Sequence, residues 1–264
     1  MHILSIDVGI KNLAHCLVKV NSDKGYDIVL WDTVNLSEGL LPICSNPNCK
    51  DLAKYTNRNN TIFCNKHAKN TDLIIPDKSI LKYKSLKLSE LNDLVKKYEL
   101  PVPNEKITKA VLSKVIEEFL NEKCIKPLEN SCVSDISLIK LGVKVKEKYD
   151  KIFQDYTIDK IVIENQISPI AGRMKALQAM ITQYFIDCGI TDIYYISSAN
   201  KLKDYDDQEI KTYSKRKKIS IDVVNKILEE ENKDWKHIFK KSKKKDDLAD
   251  TLLQVIHFIK NNIK

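Results

Sequence analysis

Three carboxylates, Asp246, Asp247 and Asp250, fall within five residues directly after Lys243, Lys244 and Lys245. The following residues are apolar at helical spacing, with Leu248, Leu252, Val255 and Ile259 on one stripe. On such a helix Asp247 and Asp250 are i, i+3 and Asp246 and Asp250 are i, i+4, so either pair projects two acids from one face. Crowded acids repel unless positive charge sits between them. A divalent cation supplies that charge well, and the lysine run supplies it less well. A solvated helix start, where acids favour the first turn, is the plainer reading of this stretch alone.

Two more acids stand at strand ends. A short apolar run from His2 ends in Asp7-Val8-Gly9, and Gly9 lets the backbone turn tightly beside the carboxylate. Such an aspartate holds a metal or caps a turn, and this stretch leaves both open. Ile161-Val162-Ile163 reads as a buried parallel strand. Glu164 ends it, at the edge where open α/β sheets put their chemistry.

A second constellation is softer. Cys44-x4-Cys49 and Cys64-x2-His67 are two ligand pairs fourteen residues apart. Four such ligands suit tetrahedral Zn²⁺ in a structural role, since they leave no open position for catalysis. The alternative is unrelated reduced thiols and a surface histidine. Cys16, Cys124, Cys132 and Cys188 show no comparable pairing and read as ordinary core or surface thiols.

The third constellation is basic. Lys201, Lys203, Lys211, Lys215, Arg216, Lys217 and Lys218 fall within eighteen residues, with Tyr205 and Tyr213 between them. Aspartates at 204, 206 and 207 interrupt the run, which suits a phosphate-tracking loop better than a polybasic tail. A solvated face is the plainer alternative. The formal net charge of +8 points the same way, towards a polyanionic partner.

The elements that must position these groups follow from periodicity. Strands are expected at 2–6, 13–20 and 27–34 as an antiparallel meander, with further buried strands at 161–163 and 193–196. Helices are expected at 79–97 and 106–123, separated by Leu100-Pro101-Val102-Pro103. Leu86, Leu88, Leu91, Leu94 and Val95 mark the face of the first. Val111, Val115 and Phe119, with Leu112 beside them, mark the second. A helix at 135–156 carries Ile139, Val143, Tyr149 and Ile152 on its inner face. Ser168-Pro169 opens another at 173–187, lined by Leu177, Met180, Ile181, Tyr184 and Phe185. The last two are expected at 219–231 and 246–260.

The chain of 264 residues, 43% hydrophobic, is long enough for one large domain or a domain with an insertion. Its six glycines never cluster, which counts against a sugar-kinase or actin-like phosphate site built around Asp7. No signal peptide or span of about 18 apolar residues is recognisable, so no membrane partner is expected. Seven cysteines in that setting imply an intracellular, reducing compartment.

In their order, these motifs resemble the RuvC-type Holliday junction resolvases of the RNase H-like superfamily, and most of all the poxvirus-type resolvases of large DNA viruses. The resemblance rests on residues 3–12, 161–166 with the Ser168-Pro169 helix, 214–219 and 244–252. It implies an α/β, RNase H-like nuclease core over 1–37 and 132–264. Residues 38–131, with the zinc knot at about 41–70, are an insertion that departs from the compact members of that family. The resemblance implies a homodimeric, structure-selective endonuclease acting on four-way DNA junctions in recombination, repair or viral genome processing. A viral member would work in the host cytoplasm or viral factory. Asp7, Glu164, Asp247 and Asp250 would bind two Mg²⁺ ions, or Mn²⁺ in their place, with Asp246 able to replace Asp247. Family members use a lysine near the scissile phosphate, here Lys217 or Lys218, with Lys201 next. Lys201, Lys203, Lys215, Arg216 and Arg173 would contact the nucleic acid. Two alternatives stand beside this reading: a transposon- or CRISPR-type RuvC nuclease, and a non-enzymatic zinc-dependent DNA-binding protein. In the former the metal knot usually follows the glutamate, whereas here it precedes Glu164.

Overall fold

Strand-forming residues from His2 onward lay down β1 (His2–Asp7), β2 (Leu13–Val20) and β3 (Tyr26–Val34) as an antiparallel meander. A computed structural model describes the chain except residues 23–24, 105, 167–171, 199–212, 231–232 and 264. It divides into two units: Met1–Glu38 with Ile136–Lys264, and Gly39–Asp135.

The second unit begins with a knuckle around Cys44 and Cys49. β4 (Tyr55–Thr56) then pairs with β5 (Ile62–Phe63) and, from the far end of the unit, with β6 (Lys126–Pro127). Between them run α1 (Asn65–Ala68), α2 (Lys78–Leu81), a 3-10 turn at Tyr83–Ser85, α3 (Leu88–Lys97) and α4 (Lys109–Glu122). The single helix expected at 79–97 is therefore broken. Leu86 and Lys87 are extended, and the Glu90 carboxylate accepts the Lys87 N–H, which starts a new helix there. Leu88 consequently faces solvent, while Leu91, Leu94 and Val95 are buried. On α4 the buried stripe is Leu112, Ile116 and Leu120 rather than Val111, Val115 and Phe119. The apolar residues come in adjacent doublets, so both stripes share the same spacing and only packing chooses between them.

The first unit continues with α5 (Leu138–Phe153), β7 (Lys160–Glu164), α6 (Gly172–Asp187), β8 (Ile193–Ile196), α7 (Tyr213–Glu230), α8 (Lys233–Lys241) and α9 (Lys245–Asn262). Its sheet runs β3-β2-β1-β7-β8, with β1, β7 and β8 parallel to one another. Three antiparallel strands extended at β1 by parallel ones make the RNase H-like arrangement.

Two layers of helix cover the sheet. Over one face lies α9, which buries ten residues from Leu248 to Ile259. So complete a burial leaves mainly its first turns to present polar groups. Trp31 stacks on Phe239 of α8 there, with centroids 5.2 Å apart. Over the other face, Tyr149 and Phe153 of α5 meet Phe185 of α6 and the buried His15 of β2.

Three expectations for this unit need correction. The buried face of α5 is Leu141, Val145, Tyr149 and Phe153, while Ile139 and Val143 are 80% and 52% exposed. Packing against α6 selects this face, and Met180 of α6 approaches on the side of Gly142, where a Cβ would sit 3.4 Å from its sulfur. β8 is the edge strand rather than a buried one, and its Tyr194 and Tyr195 are exposed. α7 starts at Tyr213, so residues 215–218 are helical rather than a loop. Lysine and arginine are good helix formers, and no glycine or proline interrupts them. Among the described residues no helix is long and apolar enough to cross a membrane.

Candidate active site

Parallel pairing of β1 with β7 sets Ile6 beside Ile163, so the next residues, Asp7 and Glu164, close the carboxyl ends of adjacent strands. The chain then turns sharply at Gly9. A Cβ on Gly9 would lie 2.3 Å from the Asn12 carbonyl oxygen, so only glycine fits this turn. From α9, Asp250 reaches the same point. Carboxylate oxygens of Asp7, Glu164 and Asp250 all lie within 4.8 Å of one another, and all three residues are half-buried. Hard divalent cations take several carboxylate oxygens at about 2.0–2.6 Å, and this spacing fits an ion held among the three.

A cleft of about 370 Å³ surrounds these acids. Asp247 lines it with Asp7, Glu164 and Asp250, and Lys11, Asn12, Arg216, Lys217 and the buried Ser220 complete much of its wall. Burial pushes the Asp247 carboxyl above its ordinary range; Asp246 and Asp250 add to the rise, and Lys217 and Lys244 oppose it. Asp246 does not line the cleft; it accepts a hydrogen bond from the Lys217 ammonium. Burial works against its ionisation, yet the Lys217 bond and charge outweigh it and hold the carboxyl low. Of the two candidate acids of this pair, Asp247 is the one that shares the cleft with Asp7, Glu164 and Asp250.

The basic residues separate in the same way. Lys217 is on the cleft wall, whereas Lys218, one residue on, is exposed and outside it. Arg216 joins Lys217 on the wall, and Lys215 is exposed. Arg173 is spent elsewhere: its guanidinium donates to the Ile136 carbonyl at 2.5 Å. Lys201 and Lys203 lie outside the described residues.

Three supporting residues escaped the sequence reading. The Gln254 amide of α9 donates to the carbonyls of Ile6 and Val162, at 3.3 and 3.0 Å, fastening α9 to the strands just before Asp7 and Glu164. Gln178 of α6 accepts the N–H of Gln166 at 3.0 Å, holding the chain that leaves Glu164. Trp31 bonds the Leu248 carbonyl. The signal for the glutamines was a polar residue inside an apolar helical stripe, which periodicity treats as noise.

In the second unit Cys44, Cys49, Cys64 and His67 offer ligand atoms all within 4.8 Å of one another. Cys44 Sγ and Cys64 Sγ lie 3.4 and 3.5 Å from His67 Nδ1, and Cys49 Sγ lies 3.9 Å from Cys64 Sγ. Tetrahedral Zn²⁺ requires S···S of about 3.8 Å and S···N of about 3.6 Å. A disulfide, at about 2 Å, is ruled out. Asn48 adopts φ 64°, a left-handed turn that asparagine tolerates, and this folds Cys49 back towards Cys44.

Residues 3–137, just over half of the chain, match the family model described as mitochondrial resolvase Ydc2 / RNA splicing MRS1. That span holds Asp7 and the whole cysteine–histidine cluster, while Glu164, Asp247 and Asp250 lie beyond it. The uncharacterized protein L451 of Acanthamoeba polyphaga mimivirus is 26% identical over 325 residues, covering 98% of this chain and 74% of that protein. Among solved structures, the yeast mitochondrial Holliday junction resolvase Ydc2 is 14% identical with a TM-score of 0.42, covering 97% of this chain and 78% of that one. The fowlpox virus resolvase, solved with its Holliday junction substrate, is 13% identical with a TM-score of 0.47, covering 100% of both chains.

Proposed function

The chain belongs to the family of mitochondrial resolvase Ydc2 and RNA splicing MRS1, and from that premise we propose that it is a metal-dependent endonuclease resolving four-way DNA junctions. The observation that carries this reading is the convergence of Asp7, Glu164 and Asp250, from two strands and a helix, to within 4.8 Å. A nucleic-acid-binding relative without cleavage would have no need of such a costly crowd of acids.

Asp7, Glu164, Asp247 and Asp250 would hold two Mg²⁺ ions, or Mn²⁺ in their place, which would supply an activated water and stabilisation of the leaving 3′ oxygen of a phosphodiester. The other groups serve the DNA. Arg216 grips a phosphate with its planar fork, a geometry that lysine lacks. Lys217 stabilises charge that develops on the phosphoryl oxygens. Lys11 and Asn12, on the tight turn after Gly9, steady the strand over the acids. Lys215 and Lys218, with Lys201 and Lys203, track neighbouring backbone phosphates outside the cleft. Two opposed strands must be nicked in a junction, so the working form is a homodimer with one cleft per strand. Cys44, Cys49, Cys64 and His67 hold one structural Zn²⁺, in keeping with a reducing intracellular compartment.

The test is cleavage of a synthetic four-way junction against a linear duplex of the same arms, in Mg²⁺, with the nicks mapped. Symmetric nicks near the branch point of the junction, with the duplex intact, support the proposal. Equal cutting of both substrates favours a less selective nuclease. Binding without cleavage in Mg²⁺ or Mn²⁺ favours a non-enzymatic role.

A further inference from the structure

Of the three acids at the start of α9, one does not line the cleft. Asp247 and Asp250 line the acidic cleft, whereas Asp246 lies outside its lining and accepts a hydrogen bond from the Lys217 ammonium of α7. The pair is well shielded, with side chains 32% exposed for Lys217 and 17% for Asp246. Lys217 itself is on the cleft wall.

A lysine beside several carboxylates has an obvious alternative. Its flexible four-carbon stem carries a compact point charge, and a carboxylate attracts an ammonium more strongly in a half-buried cleft than in open water. Left untethered, Lys217 would fold onto Asp7, Glu164 or Asp250 and compete there with a divalent cation. A partner acid placed just outside the cleft competes for the ammonium. It fixes the ammonium at the wall and restricts its rotamers, while the ammonium's three donors allow a further contact with an oxygen in the cleft.

We propose that Asp246 is the positioning residue of Lys217 and not a ligand of the metal site. The inference rests on the reading of the cleft as a phosphodiester-cleaving site, but half of its test does not. The variants are Asp246→Asn, Lys217→Met, the double variant and Asp250→Asn, all in the full chain. The double variant removes the pair without changing the net charge. It is expected to bind Mn²⁺, followed by electron paramagnetic resonance without DNA, within about threefold of wild type. Asp250→Asn is expected to bind it about a hundredfold more weakly or worse. A double variant as weak as Asp250→Asn makes Asp246 a ligand and overturns the proposal, whether or not the protein cleaves DNA.

The second readout is single-turnover cleavage of a saturating four-way junction. Asp246→Asn should be slower by about ten- to a hundredfold, Lys217→Met slower still, and the double variant no slower than Lys217→Met alone. Losses that multiply in the double variant mean that Asp246 acts independently of Lys217, which also overturns the proposal. If wild type cleaves no substrate, the nuclease reading falls, and the Mn²⁺ titration still decides whether Asp246 is a ligand.

Discussion

Trp31 of β3 donates its indole N–H to the Leu248 carbonyl at 3.0 Å and to the Thr251 hydroxyl at 3.2 Å, fixing the turn of α9 that carries Asp247 and Asp250. The ring is 2% exposed and lies almost parallel to Phe239. A core aromatic thus sets the height at which two acids meet Asp7 and Glu164 across the sheet. Trp31→Phe keeps a ring in the stack and loses the N–H. It should cost about 1–3 kcal/mol in urea denaturation and slow cleavage at saturating junction. An unchanged denaturation midpoint would show that the bond does not hold α9 in place.

The buried His15 makes the fold sensitive to acid. Burial lowers its pKa from 6.5 to about 4, against smaller opposing effects of Asp32 and Leu13. The folded chain therefore keeps His15 neutral, while the unfolded chain takes up a proton below pH 6.5. More protons on the unfolded state mean that stability is intact above that pH and is lost as pH falls towards 4, by roughly 3 kcal/mol from this group. His15→Leu should flatten the difference between pH 7 and pH 4.5 in urea denaturation, leaving only the slope from carboxylates. Equal pH slopes in both proteins would contradict it.

Much of this architecture was legible because it rests on local signals. The β2 expectation matches the strand observed, and β1, β3 and β7 are marked by continuous apolar or β-branched runs. The acids could be read from their places at strand and helix ends. What escaped depended on partners distant in sequence. Nothing near Gln254 announces that its amide bonds the carbonyls of Ile6 and Val162, more than ninety residues away. The faces of α4 and α5 were misread because each carries two apolar stripes, and Gly142 against Met180 is a tertiary fact. Asp246 and Asp247 were inseparable by spacing. Lys217, on a helix expected to begin only at 219, is what separates them.

The cysteine–histidine cluster should hold one zinc per chain after purification without added metal. Cys49→Ser combined with Cys64→Ser should abolish the zinc measured by elemental analysis and expose Gly39–Asp135 to proteolysis. A zinc content unchanged by the double substitution would remove the cluster as its site.

Lys217 and Lys218 should separate chemistry from binding. Lys217→Ala should lower the single-turnover rate at saturating junction by about 10²-fold. Lys218→Ala should leave that rate near wild type, weaken binding measured in Ca²⁺ and reduce its salt dependence by about one phosphate contact. The opposite pattern would move the reacting phosphate away from the cleft wall on which Lys217 lies.

The central claim is that the carboxylates at the ends of β1 and β7 and on α9 are the cleaving centre. Its most direct test is single-turnover cleavage of a saturating four-way junction in Mg²⁺ by wild type and by Glu164→Gln, with junction affinity measured in Ca²⁺ for both. Glutamine keeps the shape of the side chain and removes the charge. The expected result is cleavage by wild type, a rate reduced by about 10²-fold or more in Glu164→Gln, and affinities alike within about threefold. Cleavage by Glu164→Gln at the wild-type rate would contradict the account.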